Sequence, residues 1–236
     1  MPTQCQDMKS PMPASVEYLS GPVIKVLVGE DQTPIHVHKS VLGSSSRFLQ
    51  KVTSEEWSEL REDANTIHLL DSDAESFKMY SHWLYTRTIT LANRARETYK
   101  QLAQAYVLGE LLLDLWFKNF VLDTIVASTA EGRFKSMTRA FPRAEPTIII
   151  YNGTTSSSPA RRLLTDFFVY CVTNTSTRLG NLITLPKEFL ADALEKMSTM
   201  REVPNVSGRP WDITMELYHE KVDFGLGENP DTNHKQ

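Results

Sequence analysis

The stretch Ile35-His36-Val37-His38-Lys39-Ser40-Val41-Leu42, with Ser46-Arg47-Phe48-Leu49 close behind it, decides how this chain is read. Its first half completes a β-type run from Thr33 to Val37. On a strand, side chains two apart share a face, so His36 and His38 form a pair of candidate metal ligands. A closed zinc site needs four ligands, and no Cys or His cluster nearby supplies the others. The preferred reading is structural: a histidine at a strand-to-helix junction satisfies backbone groups left open at the helix end. Beyond it, Ser44 to Ser46 offer an N-cap for a helix holding Phe48, Leu49 and Val52.

Working outward, Val23 to Val28 is a second β-rich run, closed by the turn signal Gly29-Glu30-Asp31, so the two runs predict a hairpin. Thr66 to Leu70 predicts a third strand. Ser72 with Glu75 three residues on reads as a capping box, opening a helix with Phe77, Tyr80, Trp83 and Leu84 on one face. A helix near Thr98 carries Tyr99, Leu102, Ala103, Tyr106 and Val107. The next carries Leu113, Trp116, Phe117, Phe120 and Val121. Residues 131–150, with Pro142 and Pro146, read as irregular, and Gly153 to Pro159 as a loop. Two more helices are expected, one from Pro159 with Leu163, Leu164, Phe167, Phe168 and Cys171 on its apolar face. The other starts near Pro186, with Phe189, Leu190, Ala193, Leu194 and Met197. A small sheet covered by helices is an α+β arrangement.

Read together, these strings resemble the BTB/POZ family. Val37-His38-Lys39-x-x-Leu42 and Ser46-Arg47-Phe48-Leu49 are similar to its V-H-K…L…S-x-F-F signature. The likeness continues through Trp57-Ser58-Glu59, Ile67 to Asp71, Trp83-Leu84-Tyr85-Thr86, Tyr106 to Glu110 and Lys118-Asn119. Gly21-Pro22 before the first strand resembles the fungal branch. So do Ser158 to Leu164, Leu185 to Asp192, Pro210-Trp211-Asp212 and Tyr218-His219-Glu220. The resemblance implies a BTB/POZ fold over residues 20–130 and a helical extension over 131–201, while the polar, proline-bearing residues 1–19 read as a flexible leader and 202–236 as a mostly irregular tail. Val37, His38, Lys39, Leu42, Ser46, Phe48, Trp83, Leu84 and Tyr85 are its structural motif residues.

The function implied is protein–protein recognition. Some BTB proteins join a substrate to a cullin-3 ubiquitin ligase through a motif of an apolar residue, any residue and Glu. Trp57-Ser58-Glu59 stands at that position, which makes these three the candidate partner-binding residues. An aromatic anchor beside a carboxylate suits a partner's pocket, while the alternative has Trp57 capping the domain's own core and Glu59 solvated. A second function stays open beside it: a non-catalytic oligomeric scaffold or transcription-associated protein that binds no cullin. Swapped BTB dimers use a structured arm before the first strand, and three prolines in residues 1–20 fit that poorly. Isologous pairing into a homodimer remains open. Some relatives end in C-x-Y-H-x-H, but Glu216 and Lys221 replace two of those ligands here, so no metal is expected.

Composition excludes other classes. The chain has 236 residues and a formal charge of −4, which speaks against a nucleic-acid or anionic-membrane binder. Arg161-Arg162 alone is a poor phosphate footprint. No G-x-S-x-G, Walker loop, G-x-G-x-x-G or H-E-x-x-H occurs, so neither catalysis nor a cofactor is expected. Asp71 and Asp73 read as helix-start carboxylates, and Cys171 as an inert buried thiol. With Cys5 as the other cysteine and no secretory leader or membrane span, the expected location is cytoplasmic or nuclear. The charge is uneven. Residues 131–201 hold ten basic and six acidic side chains, and 202–236 three and seven.

Overall fold

In the computed structural model, the structure describes residues 20–61, 63–130, 140–171 and 183–201, the side chain of Cys171 excepted. Outside the described residues lie the leader, Cys5, the Cys171 thiol and residues 131–139 of the segment expected to be irregular. The tail from 202, with Pro210-Trp211-Asp212, Glu216, Tyr218-His219-Glu220 and Lys221, lies outside them too. The chain divides at Met200 into two units, and only Met200 and Arg201 of the second are described.

The elements are β1 (Val23–Val28), β2 (Thr33–His38), α1 (Lys39–Leu42), α2 (Arg47–Val52), α3 (Glu55–Ser58), β3 (Thr66–Leu69), α4 (Ala74–Thr86), α5 (Ala95–Leu111), α6 (Leu115–Ala127), α7 (Ala144–Gly153), α8 (Pro159–Cys171) and α9 (Lys187–Met200). The sheet order is β2-β1-β3, with β1 antiparallel to β2 and parallel to β3. Strand β1 follows a period of two: Ile24, Val26 and Val28 are buried and Val23, Lys25 and Leu27 face outward. Gly29 makes the hairpin turn at φ +75°, a region open to glycine without strain. Sheet and helices therefore form the α+β arrangement expected of the sequence.

An aromatic layer fills the space between sheet and helices. Tyr80 and Trp83 from α4 meet Phe117 from α6, their rings 4.9 and 5.0 Å from it, and Phe77 meets Tyr80 at 5.9 Å. One fully buried carboxylate organises this layer. Asp114 caps α6, accepting the Phe117 N–H at 3.0 Å, and its other oxygen accepts from the Tyr80 hydroxyl at 2.8 Å and from the Ser45 hydroxyl. Burial, and then the Asp114 carboxylate, push the Tyr80 hydroxyl well above the usual tyrosine range, so it stays a proton donor. Ser46 caps α2 at the Leu49 N–H and donates to the Leu112 carbonyl at 2.5 Å. The corner between α1 and α2 is thus tied to the turn between α5 and α6.

Several expectations are corrected. The cap of α4 is Asp73, accepting from the Ser76 N–H at 2.8 Å, in place of Ser72. Leu113 lies outside α6 and is exposed: it takes φ +53° at the end of α5, where Leu113 N–H bonds Glu110 O and Asp114 N–H bonds Gly109 O. The segment around Pro146 is helical, since proline in a first turn removes an N–H that has no intrahelical acceptor. On α9, Phe189 and Ala193 are buried while Leu194 and Met197 are exposed.

Helix α7 packs on α5 by close approach. A Cβ on Gly153 would lie 2.5 Å from both Val107 methyls. Arg161, buried on α8, donates to the carbonyls of Tyr151 (2.7 Å) and Thr154, closing the end of α7, and stacks on the Tyr151 ring. Two substitutions test this packing by urea denaturation. Asp114→Ala, which strands Tyr80 and Ser45 and uncaps α6, is expected to cost about 3 kcal/mol or more. Gly153→Ala, which forces α5 and α7 apart, is expected to cost about 1–3 kcal/mol.

Candidate functional site

Trp57, Ser58 and Glu59 sit on and just after the single-turn helix α3, between α2 and β3. Nothing in the core calls on this segment: α3 has no buried residue, and its Trp57 is 44% exposed, whereas Trp83 is 2% exposed. The alternative in which Trp57 caps the core is therefore not what the packing gives. The ring instead carries a cation, with Lys51 Nζ 5.0 Å from its centroid. Ser58 donates to the Glu55 carbonyl at 2.9 Å. The Glu59 side chain is exposed, with no hydrogen bond or ion pair recorded among the described residues.

An exposed single turn needs fixing from outside, and Arg61 does this. Its guanidinium donates to Val52 O at the end of α2, to Ala64 O, and to Thr66 O in β3, at 3.0, 3.0 and 3.2 Å. Asp63 closes the turn that leads into β3 by accepting from Thr66 Oγ1 and Asn65 N–H. These bonds, the one from Thr66 first, hold its carboxyl below the usual range. The sequence reading missed Arg61. Its signal was an arginine just before a strand, among the acidic residues Glu59 and Asp63.

The motif residues fall into two groups. Val37, Leu42, Ser46, Trp83 and Leu84 are buried, and Phe48 and Lys39 are half-buried around them. His38 and Tyr85 are joined directly, the Tyr85 hydroxyl lying 2.8 Å from His38 Nδ1 and accepting the His38 N–H at 3.0 Å. The expected capping by the His38 side chain is replaced by this pair. His36 points to the exposed face, and no cluster of three metal-ligating side chains occurs among the described residues.

The His38–Tyr85 pair also blunts the outer edge of the sheet. Ile24, Val26 and Val28 of β1 turn their backbone groups toward β2, because Lys25 and Gly29 bond β3. Pro34, His36 and His38 therefore face away from β1. Of these, Pro34 has no N–H and that of His38 is taken by Tyr85, which disfavours strand addition here. A second exposed feature went unread: the turn Leu111-Leu112-Leu113-Asp114-Leu115 buries Leu112 and Asp114 but exposes Leu111, Leu113 and Leu115. Its signal was the leucine alternation around one aspartate.

Comparison with known proteins agrees with this anatomy. The model of the BTB/POZ domain matches residues 24–113, which form a BTB/POZ domain. This is a family of protein-interaction domains, so residues 24–113 are an interaction module. No curated protein matches the chain. No described helix is long and apolar enough to cross a membrane.

If Trp57 serves a surface and Arg61 serves the fold, their truncations separate in urea denaturation. Trp57→Ala is expected to change stability by less than about 1 kcal/mol. Arg61→Ala, which frees three backbone carbonyls, is expected to cost about 2–3 kcal/mol.

Proposed function

We propose that the BTB/POZ domain of this chain is a substrate adaptor for a cullin-3 ubiquitin ligase, with Trp57, Ser58 and Glu59 as its contact. The observation that carries this reading is the exposure of Trp57 on a turn braced by Arg61. A large aromatic held outward by a rigid bracket loses little freedom on binding, and an unpaired carboxylate two residues on orients the partner. Rigid aromatic anchors are where binding energy concentrates.

In this reading the domain spans residues 20–130, and the helices of 131–201 are the extension common in the fungal branch, available to hold a substrate. The tail spans 202–236, and the working location is cytoplasmic or nuclear. The starts of α8 at Pro159 and α9 at Lys187 support the extension, since they coincide with the Ser158–Leu164 and Leu185–Asp192 motifs.

The second reading, a non-catalytic oligomeric scaffold, draws its support from the apolar turn that exposes Leu111, Leu113 and Leu115. Calorimetric titration with a cullin-3 N-terminal fragment separates the two. The adaptor reading expects binding by the wild type, weakened about 30-fold by Trp57→Ala and about fivefold by Glu59→Ala. Absence of binding by the folded wild type would remove the adaptor reading. A mass that grows with concentration in light scattering would then favour the scaffold.

A further inference from the structure

Protein interiors leave few voids larger than a water molecule, so a sizeable apolar concavity calls for an occupant. One opens where α7, α8 and the start of α9 meet, a cavity of about 60 Å³ behind a mouth that is open to solvent. Its walls are Phe141, Leu164, Phe167, Phe168, Leu185 and Phe189. Ring contacts hold them in place, Phe141 to Phe167 at 5.4 Å and Phe168 to Phe189 at 5.3 Å.

Two lining residues have polar side chains, Arg143 and Thr147. The Thr147 hydroxyl is engaged, donating to the Arg143 carbonyl at 2.8 Å. The Arg143 guanidinium is exposed, with no hydrogen bond or ion pair recorded among the described residues. Among the described residues, no acidic side chain lines the cavity. The nearest in sequence, Glu145, is turned to α5, where it meets Lys100 at 3.0 Å and Arg96 at 3.2 Å. The site therefore offers an enclosed aromatic wall and one unpaired planar cation. Such a cation pairs with a carboxylate through two parallel hydrogen bonds.

We propose that this cavity binds a small apolar carboxylate, with Arg143 pairing the head group and the phenylalanine wall enclosing an alkyl or aryl body. The site is independent of the surface around Trp57.

Titration calorimetry on the full chain tests it, with octanoate as probe and 1-octanol as the uncharged match. Octanoate is expected to bind below about 1 mM and about tenfold more tightly than 1-octanol. Arg143→Gln changes only an exposed side chain. It is expected to weaken octanoate about tenfold and leave 1-octanol unchanged. Ala144→Leu, which adds bulk to the cavity wall, is expected to weaken both, with an unchanged circular dichroism spectrum showing that the chain still folds. No octanoate binding up to about 1 mM, or binding that neither substitution alters, overturns the proposal. Equal affinity for the two probes overturns it as well and reassigns the cavity to an uncharged side chain of a protein partner.

Discussion

A carboxylate taken out of water must find donors for its lone pairs, and in this fold that requirement falls on Asp114. It is met by the Phe117 N–H, the Tyr80 hydroxyl and the Ser45 hydroxyl. These groups belong to α6, to α4 and to the corner between α1 and α2, so satisfying one side chain fixes three elements that are distant in sequence. The Ser46 bond to Leu112 closes the same junction from the other side. The aromatic layer of Phe77, Tyr80, Trp83 and Phe117 is then packed against a polar pin that allows one register.

Two of the tryptophans, Trp83 and Trp57, are used in opposite ways. Trp83 lies in that layer, with the Arg87 guanidinium 4.2 Å from its ring centroid. Trp57 stands on a helix that buries nothing, in a connection whose two ends Arg61 ties together through its bonds to α2, to the connecting turn and to β3. The sheet edge at β2 offers little for pairing, because Pro34 and the Tyr85 hydroxyl remove two of its outward donors. A partner therefore meets side chains, and the large apolar ones exposed in the α2–β3 connection are Trp57 and Leu60.

Much of the fold was legible because it rests on local rules. Alternation in Val23 to Val28 and the helical spacing of Phe77, Tyr80, Trp83 and Leu84 follow from backbone periodicity alone. Ser46 was readable as a cap for the same reason. The departures arise where tertiary structure decides. Asp73 displaces Ser72 because the chain enters α4 one residue later. Leu113 leaves the apolar face of α6 because Asp114 must reach Tyr80 and Ser45, which starts the helix after it. Around Pro146 a helix forms because a first turn tolerates proline. The position of the candidate site was legible as a motif, but its exposure was not. Nothing local says whether a tryptophan packs inward, and Arg61's three carbonyls become neighbours only when β3 returns beside β1.

Partner recognition is placed on the surface around Trp57. Hydrogen exchange, followed peptide by peptide with and without a saturating cullin-3 N-terminal fragment, reads this directly. The expected result is slowed exchange across residues 54–60, with α8 and α9 unchanged. Unaltered exchange at residues 54–60, or protection confined to another face while the fragment is bound, would contradict it.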